Sequence, residues 1–189
     1  ASQVARHHEV LASGVFGNPH SHNPSALAST ALVERARAAV LEHLNADPAE
    51  YDVIFTGNAS GALKLVGEAF PFGPASTYLL LYDNHNSVNG IREFARRAGA
   101  RTVYVPVRPP ELRLDADLLK RALTEPCEPG APRLFAYPAQ SNFSGVQHPL
   151  EWIERASALG WTTVLDAAAF LPTNRIDLAE VKPDFLPIS

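Results

Sequence analysis

Methionine is absent from this 189-residue chain, and cysteine occurs once, at Cys127. A single thiol excludes an internal disulfide framework and a multi-cysteine metal site. Its neighbours Glu125, Pro126, Glu128 and Pro129 do not favour an activated thiolate. Basic charge is also scarce: Lys+Arg 16 against Asp+Glu 20 leaves a net charge of -4. There is no cationic surplus to neutralise a phosphate backbone, so nucleic-acid binding is not expected. Long apolar runs are missing, and the stretch at 78–82 falls far short of a membrane span. The N-terminal stretch, with His7, His8 and Glu9, is too polar to read as a secretory leader. His20 and His22 stand in a loop without carboxylate or cysteine companions, so no metal site is expected. With Ala1 first and no methionine, the chain reads as a fragment or processed piece of a cytoplasmic protein.

What is present is globular in composition, 46% apolar and 19% charged, enough for one domain with a real core. Strand-like and helix-like segments alternate. Residues 51–56 (YDVIFT), 77–83 (TYLLLYD), 101–107 (RTVYVPV), 133–137 (RLFAY) and 161–166 (WTTVLD) read as strands. Pro106 places the third at a sheet edge or at a strand end. Helices are expected at 25–45, 58–70, 88–98, 115–123 and 150–159. Val33, Ala36, Val40 and Leu44 would form the buried face of the first; Ala62, Leu65, Val66 and Ala69 would form that of the second. Gly99 and Gly160 close two of these helices, and the proline-rich stretch 126–132 must be a loop. Residues 184–189 (DFLPIS) look like one more short strand. The fold class expected is α/β, an α-β-α sandwich around a largely parallel sheet.

In such sheets ligands bind beyond the carboxyl ends of the strands. Four strands there deliver polar groups. GNASG (57–61) opens a helix, and its backbone N–H groups and Ser60 hydroxyl can hold an anion; an ordinary N-capped turn is the competing account. The segment lacks the endings of a Walker loop and of GxGxxG. Asp166 stands between Val164-Leu165 and three alanines, so a charged carboxylate there calls for a cation or several donors, such as a protonated heterocyclic nitrogen; a turn-capping role is the alternative. His85 directly follows a strand and can stack on a flat ring or move protons, unless it is a plain loop histidine. Gln140 and Asn142 can hydrogen-bond a ring hydroxyl or serve the turn before Gly145. The loop at 14–24 (GVFGNPHSHNP) is too polar for core.

Taken together, FGNPHSHNPSA (16–26), VIFTGNASGALKLVGEAFPF (53–72), DNHNSVNGIREFA (83–95), PAQSNFSGVQHPL (138–150), VLDAAAFLPTN (164–174) and KPDFLPIS (182–189) resemble the class V, fold type I aminotransferase family of pyridoxal-phosphate enzymes. Within it, the likeness is to the cysteine-desulfurase-like domain of molybdenum cofactor sulfurases. The resemblance implies that Ala59 and Ser60 bind the cofactor phosphate and that His85 stacks on the pyridine ring. It implies that Asn142, with Gln140 beside it, approaches the ring O3′, and that Asp166 pairs with the pyridinium nitrogen. His85 and Asp166 would be the catalytic pair. Ala169 stands where many cysteine desulfurases carry a glutamine, so the contact to the ring oxygen comes from elsewhere or is absent. Residues 1–189 would then be most of the large pyridoxal 5′-phosphate domain, without the Schiff-base lysine segment and the small C-terminal domain. Lys64, Lys120 and Lys182 do not match the catalytic lysine. The implied parent mobilises sulfur from L-cysteine as a homodimer, with loop 17–23 approaching the substrate. An aminotransferase, epimerase or lyase on another amino acid, or a non-catalytic binding domain, shares the same residues.

Overall fold

The computed structural model describes residues 2–189, which fall into two compact units, one ending at Val53 and the other spanning Ile54–Ser189. The first unit is helical. Helix α1 (Ser2–Ala12) buries none of its residues and was not expected from the sequence. Helix α2 (Pro24–His43) starts where Asn23 accepts a hydrogen bond from the Ala26 N–H, with Pro24 in its first turn. The loop before it folds back onto its opening turns: Ser29 Oγ donates to the Gly17 carbonyl at 2.6 Å and Thr30 Oγ1 to the Pro19 carbonyl at 3.1 Å. The expected apolar stripe of α2 is weaker than read. Val33 and Val40 are half-buried and Ala36 is exposed, and the buried apolar residues are Ala26 and Leu44. Alanine occurs all round this helix, so its apolar pattern does not select one face.

The second unit opens with α3 (Ala59–Ala69), then β1 (Thr77–Leu81), α4 (Asn86–Asn89), α5 (Ile91–Arg97) and β2 (Arg101–Val105). A two-stranded antiparallel ribbon follows, β3 (Val107–Arg108) with β4 (Arg113–Leu114). Then come α6 (Ala116–Leu123), β5 (Arg133–Pro138), α7 (Trp152–Ala158) and β6 (Thr162–Asp166). The main sheet has four parallel strands in the order β2-β1-β5-β6. Every residue of β1 is buried, as its continuous apolar run implies for a strand covered on both faces.

Alternation along the strands sorts the core into two layers. Tyr78, Leu80, Leu134, Ala136 and Val164 pack against Leu63 and Val66 of α3, Val88 of α4, and Ile91 and Ala95 of α5. The intervening Leu79, Leu81, Phe135, Tyr137 and Leu165 are buried on the other face. There the Tyr137 hydroxyl donates to the Pro149 carbonyl at 3.0 Å, at the mouth of α7, and Trp161 Nε1 donates to the Leu123 carbonyl of α6 at 3.0 Å.

Three further expectations are corrected. Residues 51–56 form no strand: a strand needs a partner for its N–H and C=O groups, and none of the described strands pairs with them. Ile54 and Phe55 are exposed there. The buried face of α3 is Leu63, Val66 and Gly67, whereas Leu65 and Ala69 point to solvent. Gly67 lets the Phe94 ring come so close that a Cβ would stand 2.7 Å from it. The helix expected at 88–98 is two short helices meeting at Gly90. The segment at 184–187 does run parallel beside β6, through a bridge between Val164 and Phe185. Leu165 N–H donates to the Phe185 carbonyl and Ala167 N–H to that of Pro187, each at 3.0 Å.

Candidate functional site

The chain moves outward from β1 to β2, then returns past β1 to β5 and on to β6. That reversal opens a crevice between the carboxyl ends of β1 and β5, where open α/β sheets bind ligands. A cavity of about 310 Å³ lies there. Its walls come from four connections: Asn58, Ala59 and Ser60 at the start of α3; His85 and Ser87 after β1; Gln140 and Asn142 after β5; Asp166, Ala168 and Ala169 at the end of β6. All six residues singled out in the sequence, Ala59, Ser60, His85, Gln140, Asn142 and Asp166, line this one space.

The N-terminus of α3 forms one wall. The Asn58 side chain caps the helix by accepting the Gly61 N–H at 2.9 Å. That leaves the earlier N–H groups of the first turn, at the positive end of the helix dipole, for an anion. Ser60 Oγ lies 2.5 Å from Ser87 Oγ, which in turn lies 3.0 Å from His85 Nδ1. The Ser87 backbone N–H also donates to His85 Nδ1, at 3.2 Å. A nitrogen that accepts an N–H carries no proton, so in the neutral ring the proton sits on Nε2. Ser87 therefore couples the opening turn of α3 to the imidazole. Sequence reading passed over it, because its partner Ser60 lies 27 residues away.

Asp166 closes the floor. It is 7% exposed, and its Oδ1 accepts the Ala168 N–H at 3.1 Å. Burial pushes its carboxyl above the ordinary aspartate value, while the Ala168 N–H and nearby His85 pull it back. A cationic group delivered into the cavity would complete this carboxylate electrostatically.

Behind the cavity, His148 Nε2 lies 2.8 Å from Asp83 Oδ2, with both side chains buried. Ser141 Oγ donates to the Asp83 carbonyl at 3.2 Å. These contacts fasten the segment bearing His85 to the turn bearing Gln140 and Asn142. His148 gave no sequence signal, because its partner lies 65 residues away.

Residues 2–189 match the family Aminotransferase class-V. The chain is 40% identical over 207 residues to the molybdenum cofactor sulfurase of Bos taurus, covering all of this chain and 23% of that protein. It is 35% identical to the molybdenum cofactor sulfurase of Arabidopsis thaliana, over 94% of this chain and 25% of that one. The chain thus spans about a quarter of the length of the curated relatives it matches. Among solved structures, the NifS-like protein from Rickettsia africae superposes with a TM-score of 0.83 at 18% identity, over 100% of this chain and 50% of that chain. The cysteine desulfurase CsdA from Escherichia coli does so with a TM-score of 0.76 at 23% identity, over 96% and 45%. With its parallel sheet, its helix-capped crevice and a family match running from residue 2 to residue 189, the chain belongs to the class V aminotransferase family.

Proposed function

We propose that residues 1–189 are most of the large cofactor-holding domain of a pyridoxal-phosphate-dependent enzyme that mobilises sulfur from L-cysteine. The observation that carries this reading is the buried Asp166 carboxylate facing the N-terminus of α3 across one cavity. An anion at one wall and a cation at the floor match a phosphorylated, protonated pyridine. The 40% identity to a molybdenum cofactor sulfurase supports sulfur chemistry over other members of the family. Homodimer formation and a cytoplasmic location belong to the same reading.

The donor set fits the cofactor. The first-turn N–H groups of α3 and the Ser60 hydroxyl would hold the phosphate. Asp166 would keep a proton on the ring nitrogen, and the two opposite charges would relieve each other's burial. His85, oriented by Ser87, would lie against the ring and hold or move a proton at Nε2. Gln140 and Asn142 would serve the ring oxygen. Pyridoxal phosphate bound in this way supplies an electron sink for the bonds at the substrate α-carbon.

Titration of the purified protein with pyridoxal 5′-phosphate, against NAD as a comparison, tests the reading. Saturable binding of the first alone, weakened about tenfold or more by Asp166→Asn and by Ser60→Ala, is the expected result. Preference for NAD, or binding indifferent to both substitutions, would overturn it. Release of alanine from L-cysteine by the protein carrying this chain distinguishes sulfur mobilisation from transamination, epimerisation or simple binding.

A further inference from the structure

Three side-chain amides, those of half-buried Asn174, exposed Gln147 and half-buried Gln140, run in series to the cavity, and a backbone carbonyl fixes the direction of all three. Asn174 Nδ2 lies 3.1 Å from the Phe170 carbonyl oxygen. A carbonyl only accepts, so the group facing it is the Asn174 NH2, which also reaches Thr173 Oγ1 at 3.0 Å. The Asn174 oxygen must then face Gln147, which offers its NH2 at 3.2 Å. The same Gln147 nitrogen donates to Gln140 Oε1 at 3.1 Å. An antiparallel bridge between Gln140 and Gln147 holds the two backbones side by side, so the facing of their amides is built into the turn.

Gln140 lines the cavity, and its oxygen is spent on Gln147. Its NH2 makes no hydrogen bond among the described residues and is the end left for a ligand. Asn142 also lines the cavity, but no hydrogen bond among the described residues fixes which end of its amide faces inward. On the β6 side, Ala168 and Ala169 offer no polar side chain. We propose that Gln140 is a polarised donor that selects a ligand carrying an ionised or accepting ring oxygen, and that Gln147 and Asn174 are positioning residues that set this polarity. The inference rests on the cofactor reading above and names which residue holds the oxygen of the 3-hydroxypyridine ring.

The test uses pyridoxine 5′-phosphate, which lacks the aldehyde and forms no covalent bond with any lysine, on the purified protein freed of bound cofactor. Gln147→Glu replaces a donor by an acceptor, so Gln140 must turn its NH2 outward and its carbonyl into the cavity. Affinity is expected to fall about tenfold. The absorption band of the bound 3-hydroxypyridine is expected to move toward the form protonated on oxygen, and Gln140→Leu should move it the same way. Arg175→Gln, at the exposed residue next to Asn174, changes the charge by the same one unit without touching any of the three amides. It should leave the band in place and affinity within about threefold. An unmoved band in Gln147→Glu, or equal band shifts in Gln147→Glu and Arg175→Gln, overturns the relay while the cofactor reading stands. Failure of the unsubstituted protein to bind pyridoxine 5′-phosphate at all overturns the cofactor reading, and the relay with it.

Discussion

Asp166 shows how one side chain can be costly to the fold and useful to the site. Burial raises its folded-state carboxyl above the unfolded value, so the folded chain holds the proton longer than the unfolded chain does. Stability from this group is therefore present below the unfolded value and lost as pH rises through the folded one. Asp166→Asn keeps an oxygen for the Ala168 N–H and removes the buried charge. The ligand-free variant should melt about 2–4 °C higher at neutral pH, with the gain vanishing in acid, while pyridine-ring binding weakens. Differential scanning calorimetry across pH reads both. Asp166, His85 and Ser60 were legible in the sequence because each follows an apolar run or opens a helix at the carboxyl end of the sheet. Ser87 and His148 were not, since their meaning lies in Ser60, 27 residues away, and Asp83, 65 residues away. Gln140 was visible as a polar group, but the direction of its amide depends on Asn174, which only the fold brings near.

At the scale of elements, the strands of the sheet were readable and the helix faces less so. β1, β5 and β6 are buried on both sides, so continuous apolar runs identify them without any choice of face. Helix α3 carries apolar side chains on more than one side, and packing chose Leu63 and Val66 over Leu65. Residues 51–56 have strand-like composition, but composition does not supply a neighbour. The join between α3 and α5 gives a sharp prediction. Gly67→Ala would gain about 1 kcal/mol of helix propensity in isolation. Here its methyl group meets the Phe94 ring at 2.7 Å, and overpacking costs about 1–3 kcal/mol. A lower urea midpoint than that of the parent is expected; a higher one would show that the ring moves aside freely.

For the whole molecule, two aspartates pull the stability profile in opposite directions. Arg108 beside Asp115, at 2.6 Å, holds that carboxyl below its ordinary value, and the Leu118 and Asp117 N–H groups at the start of α6 add to this. Its contribution is present above the unfolded value and is lost as pH falls through the folded one. Asp115→Asn should therefore lower the melting temperature at neutral pH, with the loss shrinking as the pH falls, the mirror image of Asp166→Asn. The two ends of the sheet also divide the work. Ser60, His85, Gln140 and Asp166 all stand at the carboxyl end. At the amino end, Gly99, Gly130 and Gly160 adopt positive φ in the turns leading into β2, β5 and β6. This separation makes the molecule unequal as a host for foreign sequence. A flexible tag spliced between Glu128 and Pro129, in the exposed loop before β5, should leave melting and ligand uptake intact. The same tag between Asn142 and Phe143 should abolish uptake, so a library of random insertions would trace the working edge of the sheet without any substrate being known.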